Sequence, residues 1–148
     1  MTTIAWDGKT LAADRCSWSG GARRTVRKVF KITMADGETY LVAFAGSAEF
    51  AHAVMEWMTG KLKTPPDCSA FNVDQDSACA VVIDKKNRVW LLGARLRYMR
   101  MLEKKFANGA GQEFAWGALE AGATAKQAVM IAMKRSDYAG LGVDCVSF

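Results

Sequence analysis

The chain has 148 residues, 51% of them hydrophobic and 24% charged, which suits a single domain with one sizeable core and excludes a disordered chain. Twenty Lys and Arg against fifteen Asp and Glu leave a net charge of only +5, too mild to demand a nucleic-acid partner. No run of 18 apolar residues occurs, and the first seven residues lack the basic and then apolar pattern of a secretory signal.

Residues 2–6 alternate and are rich in strand formers, Asp7-Gly8 is a hairpin signal, and residues 9–14 read as the returning strand. Residues 15–24, with Ser17, Ser19, Gly20 and Gly21, read as a loop. A second hairpin follows, with strands over 26–33 and 39–45 around Asp36-Gly37. Ser47 is the N-cap of a helix in which Phe50, Ala51, Val54, Met55, Trp57, Met58 and Leu62 recur at helical spacing. Pro65-Pro66 blocks its continuation, and residues 64–76 form a loop.

Strands are expected over 78–83 and 88–93, separated by a turn at 84–87, and one or two short strands over 96–107. Gly109-Ala110-Gly111 leads into a helix over 112–121 that Gly122 ends. Thr124 and Gln127 form a capping box that opens a helix to about residue 136. Residues 140–142 are a loop and 143–148 a final strand. Strands segregated from helices indicate an α+β fold. Two antiparallel sheets face to face, with helices outside both, satisfy every apolar face, which makes a four-layer αββα sandwich.

Cys16, Cys68, Cys79 and Cys145 are widely spaced, no CxxC pair occurs, and His52 is the single histidine. No metal site is expected, and the thiols suit a reducing, cytoplasm-like compartment. His52 lies in the apolar helical stretch and reads as structural, which leaves no histidine for a Ser-His-Asp or Cys-His mechanism.

The chain begins Met-Thr-Thr. Removal of Met1 exposes Thr2, whose hydroxyl is a nucleophile and whose α-amine, with an ordinary pKa of about 7.7–8, is a base at working pH. Asp14 ends the second strand, and Lys28 lies in the third between Arg27 and Val29. Hairpin geometry can bring both beside the start of the first strand. A lysine there favours the neutral amine by like-charge repulsion, and an aspartate orients the lysine and keeps it charged.

These stretches resemble the proteasome β-subunit family of N-terminal nucleophile hydrolases, especially the bacterial HslV type. The matching segments are Thr2-Thr3-Ile4-Ala5, Leu11-Ala12-Ala13-Asp14, Arg27-Lys28-Val29, the strand ending Phe44-Ala45-Gly46, Gly109-Ala110-Gly111-Gln112 and Lys134-Arg135-Ser136-Asp137. The resemblance covers nearly the whole chain. It implies the αββα N-terminal nucleophile hydrolase fold and threonine endopeptidase activity without a cofactor. Thr2 is then the nucleophile, its amine the base through a water, Lys28 the tuning cation and Asp14 its anchor. The oxyanion hole is expected from a backbone amide near the end of the fourth strand, with Ala43 chosen. Substrate is expected to lie extended between Ser17 and Trp18 on one side and the segment around Gly46 on the other. Leu41 and its neighbours are expected to shape the primary pocket.

Three departures separate the chain from that pattern. The glycine-rich segment has Ala110 where relatives have serine, Ser136 stands where many subunits have aspartate with Asp137 one later, and Ala139 replaces a further serine. Activity then rests on Ser136, Asp137 and water in the supporting roles. The alternative is a non-catalytic, proteasome-like structural subunit.

The resemblance also implies partners. These are a polypeptide substrate, a homo-oligomeric double ring of six or seven subunits per ring, and an ATPase unfoldase, for which this chain has no Walker motif of its own. The helix carrying Phe50, Val54, Trp57 and Met58 is expected to pack on a neighbouring subunit as well as the core. The basic cluster Arg23, Arg24, Arg27, Lys28 and Lys31 reads as solvated strand and loop edges, so neither nucleic acid nor membrane is an expected partner. With nothing ahead of Thr2 but Met1, the start fits the HslV type, and the expected location is cytoplasmic.

Overall fold

The structure is a computed structural model that describes residues 2–71 and 78–148, without the side chains of 70 and 71. Met1 and part of the loop expected over 64–76 lie outside the described residues. The chain runs through β1 (Thr3–Trp6), β2 (Thr10–Asp14), β3 (Cys16–Ser19), β4 (Ala22–Thr25), β5 (Val29–Thr33) and β6 (Thr39–Ala45) before α1 (Ala48–Met58). A short 3-10 turn (Cys68–Phe71) precedes β7 (Cys79–Ile83), β8 (Val89–Gly93), β9 (Tyr98–Met101) and β10 (Phe106–Gly109). Helices α2 (Gln112–Glu120) and α3 (Ala125–Arg135) follow, and β11 (Val143–Ser147) ends the chain.

Two antiparallel sheets carry the fold, ordered β10-β1-β2-β11 and β5-β6-β7-β8-β9. Period-two alternation divides the side chains of each strand between two cores. Ile4, Trp6, Leu11 and Ala13 meet Leu41, Ala43, Val81 and Ile83 between the sheets. Ala5, Ala12 and Ala107 face α2 and α3, where Ala115, Ala128 and Ala132 let the helices approach closely. Val42, Phe44, Ala80 and Val82 face α1 through Phe50, Val54 and Met58. The result is the αββα layering, with two helices on one outer face and α1 on the other.

The expected boundaries hold within a few residues, with two differences of substance. Residues 16–25 form the hairpin β3–β4 rather than a loop. Its turn is Gly20-Gly21, at φ +57° and +77°, the left-handed pair that a two-residue hairpin turn requires. Helix α1 stops at Met58, short of Leu62: the Thr59 hydroxyl donates to Met55 O at 2.8 Å, and Gly60 turns the chain at φ +83°. The capping box forms as expected, with Thr124 Oγ1 accepting from Gln127 N–H and the Gln127 side chain accepting from Thr124 N–H.

Candidate active site

Thr2 enters β1 at the edge of the sandwich and is buried, with 4% exposure. Its neighbour in the sheet is the glycine-rich segment, since Thr3 pairs with Gly109. A Cβ on Gly109 would stand 2.0 Å from the Thr2 carbonyl oxygen, and its φ of +94° suits glycine alone. A Cβ on Gly111 would stand 2.1 Å from Thr3 Oγ1. The two glycines are therefore the condition for the first residues of the chain to sit where they do. Ala110, between them, is exposed.

Asp14 ends β2 opposite this start and is fully buried. Its Oδ1 accepts from Thr3 N–H at 2.9 Å and from Lys28 Nζ at 3.0 Å. Its Oδ2 accepts from Cys16 N–H at 3.0 Å and Gly140 N–H at 3.1 Å. A buried carboxylate with four donors is a compensated charge. Lys28 Nζ also donates to Cys16 O at 2.5 Å. Through the shared Oδ1, the ammonium lies two hydrogen-bond lengths from the nitrogen of Thr3. Burial pushes the Lys28 pKa below its ordinary value, while the Asp14 charge and hydrogen bond oppose that shift.

Thr2 and Lys28 line one cavity of about 320 Å³, together with Ser17 and Gly46. Strands β5 and β6 contribute Phe30, Phe44 and Ala45 to its walls, and α1 contributes Ala48, Ala51, His52 and Met55. The residues at 48, 51, 52 and 55 flank the buried stripe Phe50, Val54 and Met58, and Ala51 and Met55 pack on the same core cluster while also lining the cavity. The sequence reading put Ala51 and Met55 in one stripe with the core residues, which holds, but did not see that they also line the cavity. The signal was present as a 3–4 spacing that starts two residues beyond Gly46.

Ala43, the expected oxyanion donor, sits in the middle of β6, is fully buried, lies opposite Val29 and Val81, and is not among the described residues that line the cavity. Phe44 N–H donates to Lys28 O at 2.9 Å toward β5. Gly46, the first residue past the end of β6, lines the cavity. Leu41 is likewise buried between the sheets and is not among the described residues that line the cavity.

Of the remaining expected residues, Ser17 reaches the cavity, whereas Trp18 is exposed and lies near the Arg23 guanidinium, 5.9 Å from its ring centre. Ser136 ends α3, and its hydroxyl accepts from Tyr138 N–H at 3.3 Å. Asp137 is exposed, and neither residue is among the described residues that line the cavity. The loop of residues 136–142 instead reaches the site through the Gly140 amide on Asp14. That contact was illegible because it uses a backbone group.

The set joins a threonine at the start of the first strand and a lysine held by a buried aspartate on one cavity that Gly46 also lines. A terminal threonine supplies both nucleophile and base for acyl transfer. Among the described residues no group of three His, Cys, Asp or Glu side chains has metal-binding geometry.

No family model and no curated protein matches the chain. Solved structures do. Thiobacillus denitrificans BPH superposes with a TM-score of 0.71 at 22% identity, covering 99% of this chain and 96% of that one. The same protein in complex with epoxomicin gives 0.69 at 21%, covering 99% and 97%. Eukaryotic HslV from Trypanosoma brucei gives 0.67 at 19%, covering 99% and 98%. The chain therefore has the HslV/proteasome-type αββα fold.

Proposed function

We propose that the chain is a threonine endopeptidase of the proteasome/HslV kind, with Thr2 as nucleophile once Met1 is removed. The observation that carries this reading is the buried Lys28–Asp14 pair, hydrogen-bonded to the backbone beside Thr2 and opening on the same cavity as Thr2. Lys28 disfavours protonation of the terminal amine, which takes the Thr2 hydroxyl proton through a water as Oγ attacks a peptide carbonyl. The Gly46 amide receives the developing oxyanion. Collapse breaks the C–N bond, the ammonium returns its proton to the leaving amine, and an ester forms on Oγ. Water then hydrolyses the ester by the same route. Homo-oligomeric rings of six or seven subunits, stacked in pairs, would confine this activity to unfolded polypeptides. An ATPase unfoldase is the partner such a chamber calls for.

The test is an intact mass followed by labelling. A peptide epoxyketone offers two electrophiles, which the hydroxyl and amine of a free N-terminal threonine can both engage. Covalent labelling of Thr2 and its loss in Thr2→Ala are the expected results. A mature chain that retains Met1, or an unlabelled free Thr2, overturns the reading. That outcome favours a second reading, a non-catalytic subunit of a proteasome-like assembly. Its specific support is Ala110 and Ala139 together with Ser136, which accepts from its own loop through its hydroxyl and is not among the described residues that line the cavity.

A further inference from the structure

We infer that Arg23, on the exposed hairpin β3–β4, is a positioning residue for Asp14: its guanidinium clamps together the two stretches of chain whose amides hold Asp14 Oδ2. Its effect on catalysis rests on the peptidase reading, whereas the clamp itself stands on contacts. Cys16 N–H, in β3, and Gly140 N–H, in the loop after α3, both donate to Asp14 Oδ2. The Arg23 side chain reaches both residues. Its Nε donates to Cys16 Sγ at 3.5 Å. Its Nη2 fills the space that a Cβ on the buried Gly140 would need, with Cζ 3.5 Å from that position and Cys16 Cβ 4.0 Å from it. The Trp18 ring backs the guanidinium from the hairpin side. Among the described residues no carboxylate forms an ion pair with Arg23, so these three contacts place it.

The loop needs such a clamp. It passes through Leu141 at φ +61°, a left-handed conformation that a branched side chain adopts only when its surroundings impose it. On one side Arg15 N–H is shared between Gly140 O and Gly142 O, at 3.1 Å each. Arg23 supplies the other side. Of the three backbone donors to Asp14, those of Thr3 and Cys16 lie in β1 and β3, and only that of Gly140 comes from outside a strand. A loop that relaxed would withdraw this donor and free one end of the carboxylate. Asp14 Oδ1, which Lys28 and the nitrogen of Thr3 share, would then lose its fixed position beside Thr2.

The test follows two readouts on the full chain with Thr2 as its first residue: amide hydrogen exchange over residues 136–142, and the rate of Thr2 labelling by a peptide epoxyketone at varied concentration. Arg23→Met keeps the aliphatic stem and removes the fork. It should speed exchange at Gly140 and lower the maximal labelling rate by about tenfold each, with the half-saturating concentration unchanged, because geometry and not binding is disturbed. Arg24→Met removes the same charge from the same hairpin and should leave both readouts at their wild-type values. Gly140→Ala sets a Cβ where Nη2 sits and should reproduce Arg23→Met. The double variant should be no worse than either single, as for two residues that form one contact. Should Gly140→Ala fail to fold, Arg23→Met against Arg24→Met still decides. Wild-type exchange and labelling in Arg23→Met, or losses that multiply in the double variant, overturn this inference and leave the peptidase reading standing. A wild-type Thr2 that is never labelled overturns the peptidase reading, and the exchange rates then decide the clamp by themselves.

Discussion

At the scale of single residues, adjacent threonines separate chemistry from packing. Thr2 opens on the cavity, whereas Thr3 Oγ1 is buried against Gly111 and has no hydrogen-bond partner among the described residues. Thr2→Val should abolish peptide hydrolysis. Thr3→Val should keep activity and leave stability within about 1 kcal/mol or improve it, since an unmade buried hydrogen bond is already a cost. Lys28→Met would leave Asp14 buried with three backbone donors but without its countercharge. Urea titration should show a loss of about 3–5 kcal/mol, alongside a collapse of kcat/KM. The wild-type kcat/KM should rise as the terminal amine deprotonates and fall again below pH 10.5, because burial lowers the Lys28 pKa from that ordinary value. A pH profile whose alkaline limb stands at or above 10.5 would contradict this. The sign for stability is the reverse of an ordinary ion pair's. The unfolded lysine holds its proton more tightly, so this group's unfavourable contribution is full at neutral pH and fades as pH rises through the folded pKa.

At the scale of elements, the glycine-rich segment shows how a strand end serves a site. Gly109 ends β10 against Thr2, so Gly109→Ala combines a backbone clash with a positive φ. It should cost at least about 1–3 kcal/mol in thermal or urea unfolding and reduce Thr2 labelling in the folded fraction. Thr124→Ala removes the α3 cap far from the cavity and should cost about 1 kcal/mol with labelling unchanged. The elements themselves were largely legible. Asp7-Gly8, Asp36-Gly37, Ser47 and the Thr124–Gln127 box each mark a boundary by local backbone chemistry. The β3–β4 hairpin was overlooked because its strands are short and mostly exposed, so no buried alternation advertised them.

At the scale of the whole molecule, the four layers arise because strands β1, β2, β6 and β7 are apolar on both faces and need cover on each. Native mass spectrometry should find the 16.1 kDa chain as a multiple of six or seven subunits. A monomer at working concentration would remove the chamber from the proposed function without touching the chemistry at Thr2.

Local signals in the amino-acid order determined the element sequence, the α+β class and the candidate trio of Thr2, Asp14 and Lys28, because turn residues, caps and periodicity act over a few positions. Only the tertiary structure decided which groups share the cavity. Ala43 lies inside β6, Ser136 accepts a hydrogen bond from its own loop, and Trp18 and Asp137 are exposed. The Gly140 amide on Asp14, and the α1 residues on the cavity, came from register and packing. A backbone amide carries no mark in a sequence, and a helix face is assigned only by what packs on the other one.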